Sequence, residues 1–174
     1  MNSFTLEIWD DEGEACTFYT VRKEGHDLNE TDKFLERFEY DDNYKDAVRS
    51  LLSLVLEVIG DDYGALDKLF NRHENEVKGL PPKGKIRLIQ DDLYYPDFPL
   101  RLYALKLREN LVVLFNGGIK DGETNQTSSL LNEWREACAF ASKIDRAIVE
   151  KQITIDEENR KISFYDGSEN IILF

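Results

Sequence analysis

The stretch Pro99–Lys120, PLRLYALKLRENLVVLFNGGIK, decides how the chain reads. It has the form of two strands joined by a short polar turn, ending in Gly117-Gly118 and a lysine. Leu111 to Phe115 is five apolar residues in a row, the pattern of a central strand covered on both faces. Residues two apart in a strand face the same way, so Arg101 and Tyr103 share one face while Leu100, Leu102 and Ala104 belong to the other. Gly117-Gly118 after such a strand reads as a place where the chain turns sharply.

Outward from this hairpin, the flanks supply helices and further strands. Tyr44 to Ile59 places Ala47, Val48, Leu51, Leu52, Val55, Leu56 and Ile59 at helical spacing, with Gly60 as the stop signal. A shorter helix is predicted near residues 31–40, with Asn29, Thr31 and Asp32 as candidate caps and Phe34, Leu35 and Phe38 on one face. On the far side, Thr127, Ser128 and Ser129 offer caps for a long helix to about Val149. Its stripe is Leu130, Trp134, Ala137, Ala141, Ile144 and Ile148, read as core. Phe4, Leu6 and Ile8 alternate ahead of the turn Asp10-Asp11-Glu12-Gly13, and Phe18, Tyr19 and Val21 follow, so residues 1–25 form a hairpin. Residues 152–174 carry a terminal hairpin around DEEN and one further strand. Residues 61–80 are mixed, with a short helix at Leu66, Leu69 and Phe70, and Pro81-Pro82 marks a boundary. Lys83, Lys85 and Arg87 then lead into Ile86, Leu88 and Ile89, and Pro96 and Pro99 bracket a turn. The expected fold class is α+β, one domain over 1–174: a twisted, mainly antiparallel sheet with packed helices and added strands from both termini.

Composition bounds the function. With 41% hydrophobic and 33% charged residues the chain has a folding composition. It holds no run of about 18 apolar residues, so no membrane span is expected, and the first residues lack the basic and apolar regions of a secretory signal. Cys16 and Cys138 are far apart and without a CxxC companion, which fits reduced thiols in a cytoplasm. The net charge of −13 is unevenly spread: residues 1–80 hold 9 basic and 20 acidic residues, residues 81–120 hold 7 and 4, and residues 121–174 hold 6 and 11. An acidic exterior repels phosphate backbones and argues against broad nucleic-acid binding, with the central basic segment exempt.

Most catalytic templates fail. Gly117-Gly118 lacks the spacing of a nucleotide-binding loop, and no HExxH pattern accompanies His73 in FNRHENE, which reads as exposed. His26 sits in a polar link and reads as solvated. Ser128-Ser129 and the cysteines have no nearby histidine, and the acidic turns lack EF-hand spacing. Neither a metal nor a cofactor is expected. What remains is a cation beside a phenol, Arg101 and Tyr103, followed by Lys120 at the strand end. Such a set can position and stabilise a phosphate during RNA cleavage.

The order of a helix at 44–59, three strands between about 86 and 116, and a further helix resembles the core of the RelE/ParE toxin superfamily, nearest its HigB-like branch. The residues that carry the likeness are LRLYALKLRENLVVLFNGGIK, then Lys120, Thr124 and Thr127, before the helix LLNEWREACAFASKI; it covers about residues 44–150. The resemblance implies an endoribonuclease that cleaves messenger RNA, often on the ribosome, paired with an antitoxin protein that is often a helix-turn-helix protein. It implies Lys120 as the lysine after the last strand, with Arg101 and Tyr103 as basic and aromatic site residues. Lys83, Lys85 and Arg87 are the accessory RNA contacts. The chain departs from that family in its acidity and in its terminal strands. Two other readings stand beside it: a non-catalytic acidic interaction module of the same fold, and an acidic decoy of nucleic acid, which requires one continuous negative face.

Overall fold

The computed structural model describes residues 2–71, 76–121 and 130–174. Strands β1 (Phe4–Asp10) and β2 (Thr17–Lys23) form the N-terminal hairpin, with a register shift between Ile8 and Asp10. Helix α1 (Glu30–Phe38) starts at Asn29, whose side chain accepts from the Asp32 amide at 2.7 Å. This cap satisfies one of the amides that a helix start leaves without a partner. Helix α2 (Lys45–Leu52) continues as a π-helical segment, Ser53–Tyr63. The segment ends at Gly64, whose φ of 75° suits glycine, so Gly60 is not the stop. Gly60 lies inside, and its carbonyl accepts from the Ala15 and Cys16 amides at 2.7 and 3.0 Å. A side chain at Gly13 would come within 2.3 Å of that same carbonyl oxygen.

A single 3-10 turn (Asp67–Leu69) precedes β3 (Val77–Leu80), a strand absent from the sequence reading. Strands β4 (Lys85–Arg87) and β5 (Asp92–Tyr94) pair only with each other, as a separate ribbon. The expectation that the strand near 86 belongs to the main sheet is therefore corrected: β3 takes that place. The organising hairpin is β6 (Leu100–Arg108) and β7 (Leu111–Ile119). Helix α3 (Leu131–Val149), a hairpin of β8 (Ile153–Asp156) and β9 (Lys161–Phe164), and β10 (Ile171–Leu173) complete the chain. The predicted caps at 127–129, and Thr124 and His73, lie outside the described residues.

The main sheet runs β10-β1-β2-β7-β6-β3. It is antiparallel except for β2 and β7, which are parallel over Thr17–Thr20 and Leu111–Leu114. Both faces are covered, as the apolar run in β7 requires. Leu111, Val113 and Phe115 join Phe4, Val21, Tyr103 and Leu105 on the face closed by α3 and by β8–β9. There Phe115 stacks on Phe140 with ring centroids 5.8 Å apart. Val112 and Leu114 join Leu100, Leu102 and Ala104 on the face closed by Phe34, Phe38, Leu51, Leu54, Val55 and Ile59. The buried stripe of α3 is Ala137, Phe140, Ala141, Ile144 and Ala147, with Trp134 and Ile148 packed at its margin.

Beyond Thr20 and Leu114 the parallel pair splays apart, and α1 fills the gap with side chains. The Thr31 hydroxyl donates to the Phe115 carbonyl at 3.2 Å and lies 2.7 Å from the Thr20 hydroxyl, both buried. Arg37 donates to the Gly117 carbonyl at 3.0 Å. These contacts replace ladder bonds that β2 no longer makes, so buried carbonyls keep their partners.

Candidate functional site

The glycine pair does not turn the chain. Both residues lie in β7, which runs on to Ile119, opposite Leu102 and Arg101 of β6. A side chain at Gly117 would overlap the Arg101 carbonyl oxygen, 1.8 Å away. Glycine is needed because the two backbones approach at a register shift between Leu102 and Ala104. The pair thus sets the backbone position of Arg101. After Ile119 the chain stays tied to β6, with the Lys120 amide donating to the Pro99 carbonyl at 2.8 Å.

Arg101 and Lys120 line an open cleft of about 620 Å³ between the end of β6–β7 and the β4–β5 ribbon. Lys83 lines it from the segment between β3 and β4, and Tyr94, Tyr95, Asp97 and Phe98 line it from the segment that follows the ribbon's turn. Tyr95 and Phe98 meet edge to face, centroids 5.7 Å apart. Arg101 is 5% exposed, and its Nε is buried with no hydrogen-bond partner. Among the described residues, no ion pair to a carboxylate is made by Lys83, Arg101 or Lys120. Eleven of the other described basic side chains make one. Burial pulls the Arg101 guanidinium below the ordinary arginine range. Partial burial, then the nearby Arg101 and Lys83 charges, pull the Lys120 ammonium down. Mutual repulsion of unpaired cations in a partly desolvated cleft is the electrostatic condition that an incoming anion relieves.

The other predicted site residues fall elsewhere. Tyr103 shares the Arg101 face, as strand alternation requires, but it is 0% exposed inside the α3-side core. Burial drives its phenol far above the ordinary range. It is a packing residue there and does not open into the cleft, so the pairing of Arg101 with an accessible Tyr103 is corrected. Lys85 and Arg87 lie on the exposed side of the ribbon; Lys85 sits 5.9 Å over the Tyr94 ring, and Arg87 is in register with Asp92. Neither lines the cleft. The residues the sequence reading missed are Tyr94, Tyr95, Asp97 and Phe98. Their signal was the aromatic and proline-rich run YYPDFP, read only as a turn.

The described residues contain no cluster of three metal-ligating side chains, and no disulfide joins Cys16 to Cys138. Burial pushes the Cys16 thiol up to about 12, so it is an unreactive core residue. No described helix is long and apolar enough to cross a membrane. The architecture so far defines an α+β protein with a cationic, aromatic-walled cleft. Comparisons with models of protein families, with curated proteins and with solved structures gave no match.

Proposed function

We propose that the chain is a toxin-like protein of a toxin–antitoxin or phage-derived pair, acting on RNA through the Lys83–Arg101–Lys120 cleft. The observation that carries this reading is the buried guanidinium of Arg101, unpartnered at Nε and flanked by two lysines with no ion pair. Supporting it, β3, β6 and β7 form an antiparallel run between the π-helical segment and α3, the helix–strands–helix order of the RelE/ParE resemblance with its first strand at Val77–Leu80 in place of the one expected near residue 86. The cleft cations would neutralise the negative charge that builds on phosphorus during strand cleavage. Tyr94 and Tyr95 offer ring faces for bases. The partner in this reading is an antitoxin protein, and the target is messenger RNA.

Induction in a bacterial host, with growth followed and total RNA profiled, tests the proposal. Growth arrest with fragmented messenger RNA is expected, and Arg101→Ala with Lys120→Ala should abolish both. Arrest unchanged in that double variant overturns the site assignment. A second reading is an interaction module that kept the fold without the chemistry. The closure of Tyr103 inside the core and the net charge of −13 favour it. Normal growth with intact RNA, from well-expressed protein, would decide for it.

A further inference from the structure

The cleft concentrates positive charge at one point instead of along a path. Lys83, Arg101 and Lys120 are close enough for the first two to act electrostatically on the third. Of the other cations of the ribbon, Lys85 lies 5.9 Å over the Tyr94 ring and Arg87 is in register with Asp92, and neither lines the cleft. Lys106 and Lys78, further along β6 and β3, are both tied to Asp67, at 2.9 and 3.3 Å. Single-strand binders that follow a backbone present cations along the groove and aromatic platforms between them. Outside residues 81–120 the chain carries 31 acidic against 15 basic residues, a charge balance that repels an extended phosphate chain. A volume near 620 Å³ is the size of a small-molecule site, and Tyr94, Tyr95 and Phe98 form its aromatic wall. Asp97, held at a φ of 49°, adds one carboxylate to that wall, an acceptor for a hydroxyl or amino group.

We infer that the cleft takes a terminal phosphomonoester on a nucleotide, its dianion on Lys83, Arg101 and Lys120 and its base against the aromatic wall. The shared chemistry has two sources, a free mononucleotide or the phosphorylated end of an RNA strand. The second source rests on the RNA reading above and makes the protein one that engages chain ends.

Calorimetric titration of the full chain decides the matter. The probes are adenosine, adenosine 5′-monophosphate, inorganic phosphate, and eight-nucleotide RNAs with a 5′-hydroxyl, a 5′-phosphate or a 3′-phosphate. The expected result is a mononucleotide at least tenfold tighter than inorganic phosphate, with no detectable binding of adenosine. One phosphorylated RNA should bind at least tenfold tighter than its hydroxyl-ended counterpart. Arg101→Met and, independently, Lys120→Met should each remove at least tenfold of the gain. Equal affinity for all three RNAs, still dependent on Arg101, overturns the inference and leaves the RNA reading intact. Mononucleotide binding without RNA binding upholds the inference and overturns the RNA reading. Binding of none of the probes overturns both.

Discussion

Arg101→Met separates a functional arginine from a structural one by the sign of its effect on stability. A structural buried arginine is held by a carboxylate, and deleting it strands the partner. Arg101 has no such partner among the described residues, is 5% exposed, and leaves Nε buried without a bond. A buried polar group left unsatisfied costs about 1–3 kcal/mol, and replacing buried charge by packed apolar groups is often neutral or stabilising. Methionine follows the arginine stem as far as the position of Nε, removes the charged end and adapts to irregular space. The substitution also removes one of the charges that press on Lys120. Arg101→Met should therefore raise the unfolding free energy by about 1–3 kcal/mol. With a urea slope of about 2 kcal/mol per molar, the unfolding midpoint moves up by roughly 0.5–1.5 M. The assay is equilibrium urea unfolding in an anion-poor buffer at fixed ionic strength. A bound anion stabilises the native state, by about 2.7 kcal/mol at a hundred times its Kd, so saturating phosphate should narrow or reverse the difference. A loss of more than about 1 kcal/mol without added anion would refute the reasoning, since it would mean that the guanidinium has a native partner.

Two further outcomes test the packing. Gly117→Ala should destabilise by about 3 kcal/mol or more, because the new methyl meets the Arg101 carbonyl oxygen at 1.8 Å and only backbone can move. Gly118→Ala should cost about 1 kcal/mol or less in the same urea assay, since its methyl meets the flexible ends of Leu130 and Arg37. Asp145 tests electrostatics outside the cleft: burial first, then its neighbour Glu76, pushes its carboxyl from 3.8 up to about 7. The folded chain holds that proton more tightly than the unfolded chain, so this contribution is present below the lower value and is lost as pH rises towards about 7. Asp145→Asn should flatten that part of the curve of urea midpoint against pH.

The sheet centre and the helices were legible in the sequence for physical reasons. A strand buried on both faces can carry no polar position, and Leu111–Phe115 has none. The α3 stripe was legible because one face of a helix shows a period that no other element shares. Other features leave no local mark. The alternation Lys85-Ile86-Arg87 reads the same in a free ribbon as in a main sheet, since either buries one face. Val77-Lys78-Gly79-Leu80 is too short to show a period at all. The parallel pairing of Thr17 with Leu111 joins segments far apart in the chain, and neither announces its partner. At the site, period two put Arg101 and Tyr103 on one face correctly. It could not say that Tyr103 is closed into the core while Arg101 lines a cleft, because that depends on where remote segments lie. The aromatic wall was missed because prolines and an aspartate signal a turn regardless of what the neighbouring rings do.

The splay between β2 and β7 has a dynamic consequence. Among the described residues the backbone pairing of β2 with β7 runs from Thr17 to Thr20; past that point Thr31 bridges Thr20 to Phe115, and Arg37 ties α1 to Gly117. Backbone ladders open as a unit, whereas two side-chain bonds can release without unfolding a strand. Amide hydrogens of β6 and β7 from Arg101 to Leu102 and from Gly117 to Ile119 should then exchange by a sub-global opening that leaves β1, β2 and β10 protected. The cleft sits on the half that opens, so its cations are mounted on the less cooperative part of the sheet.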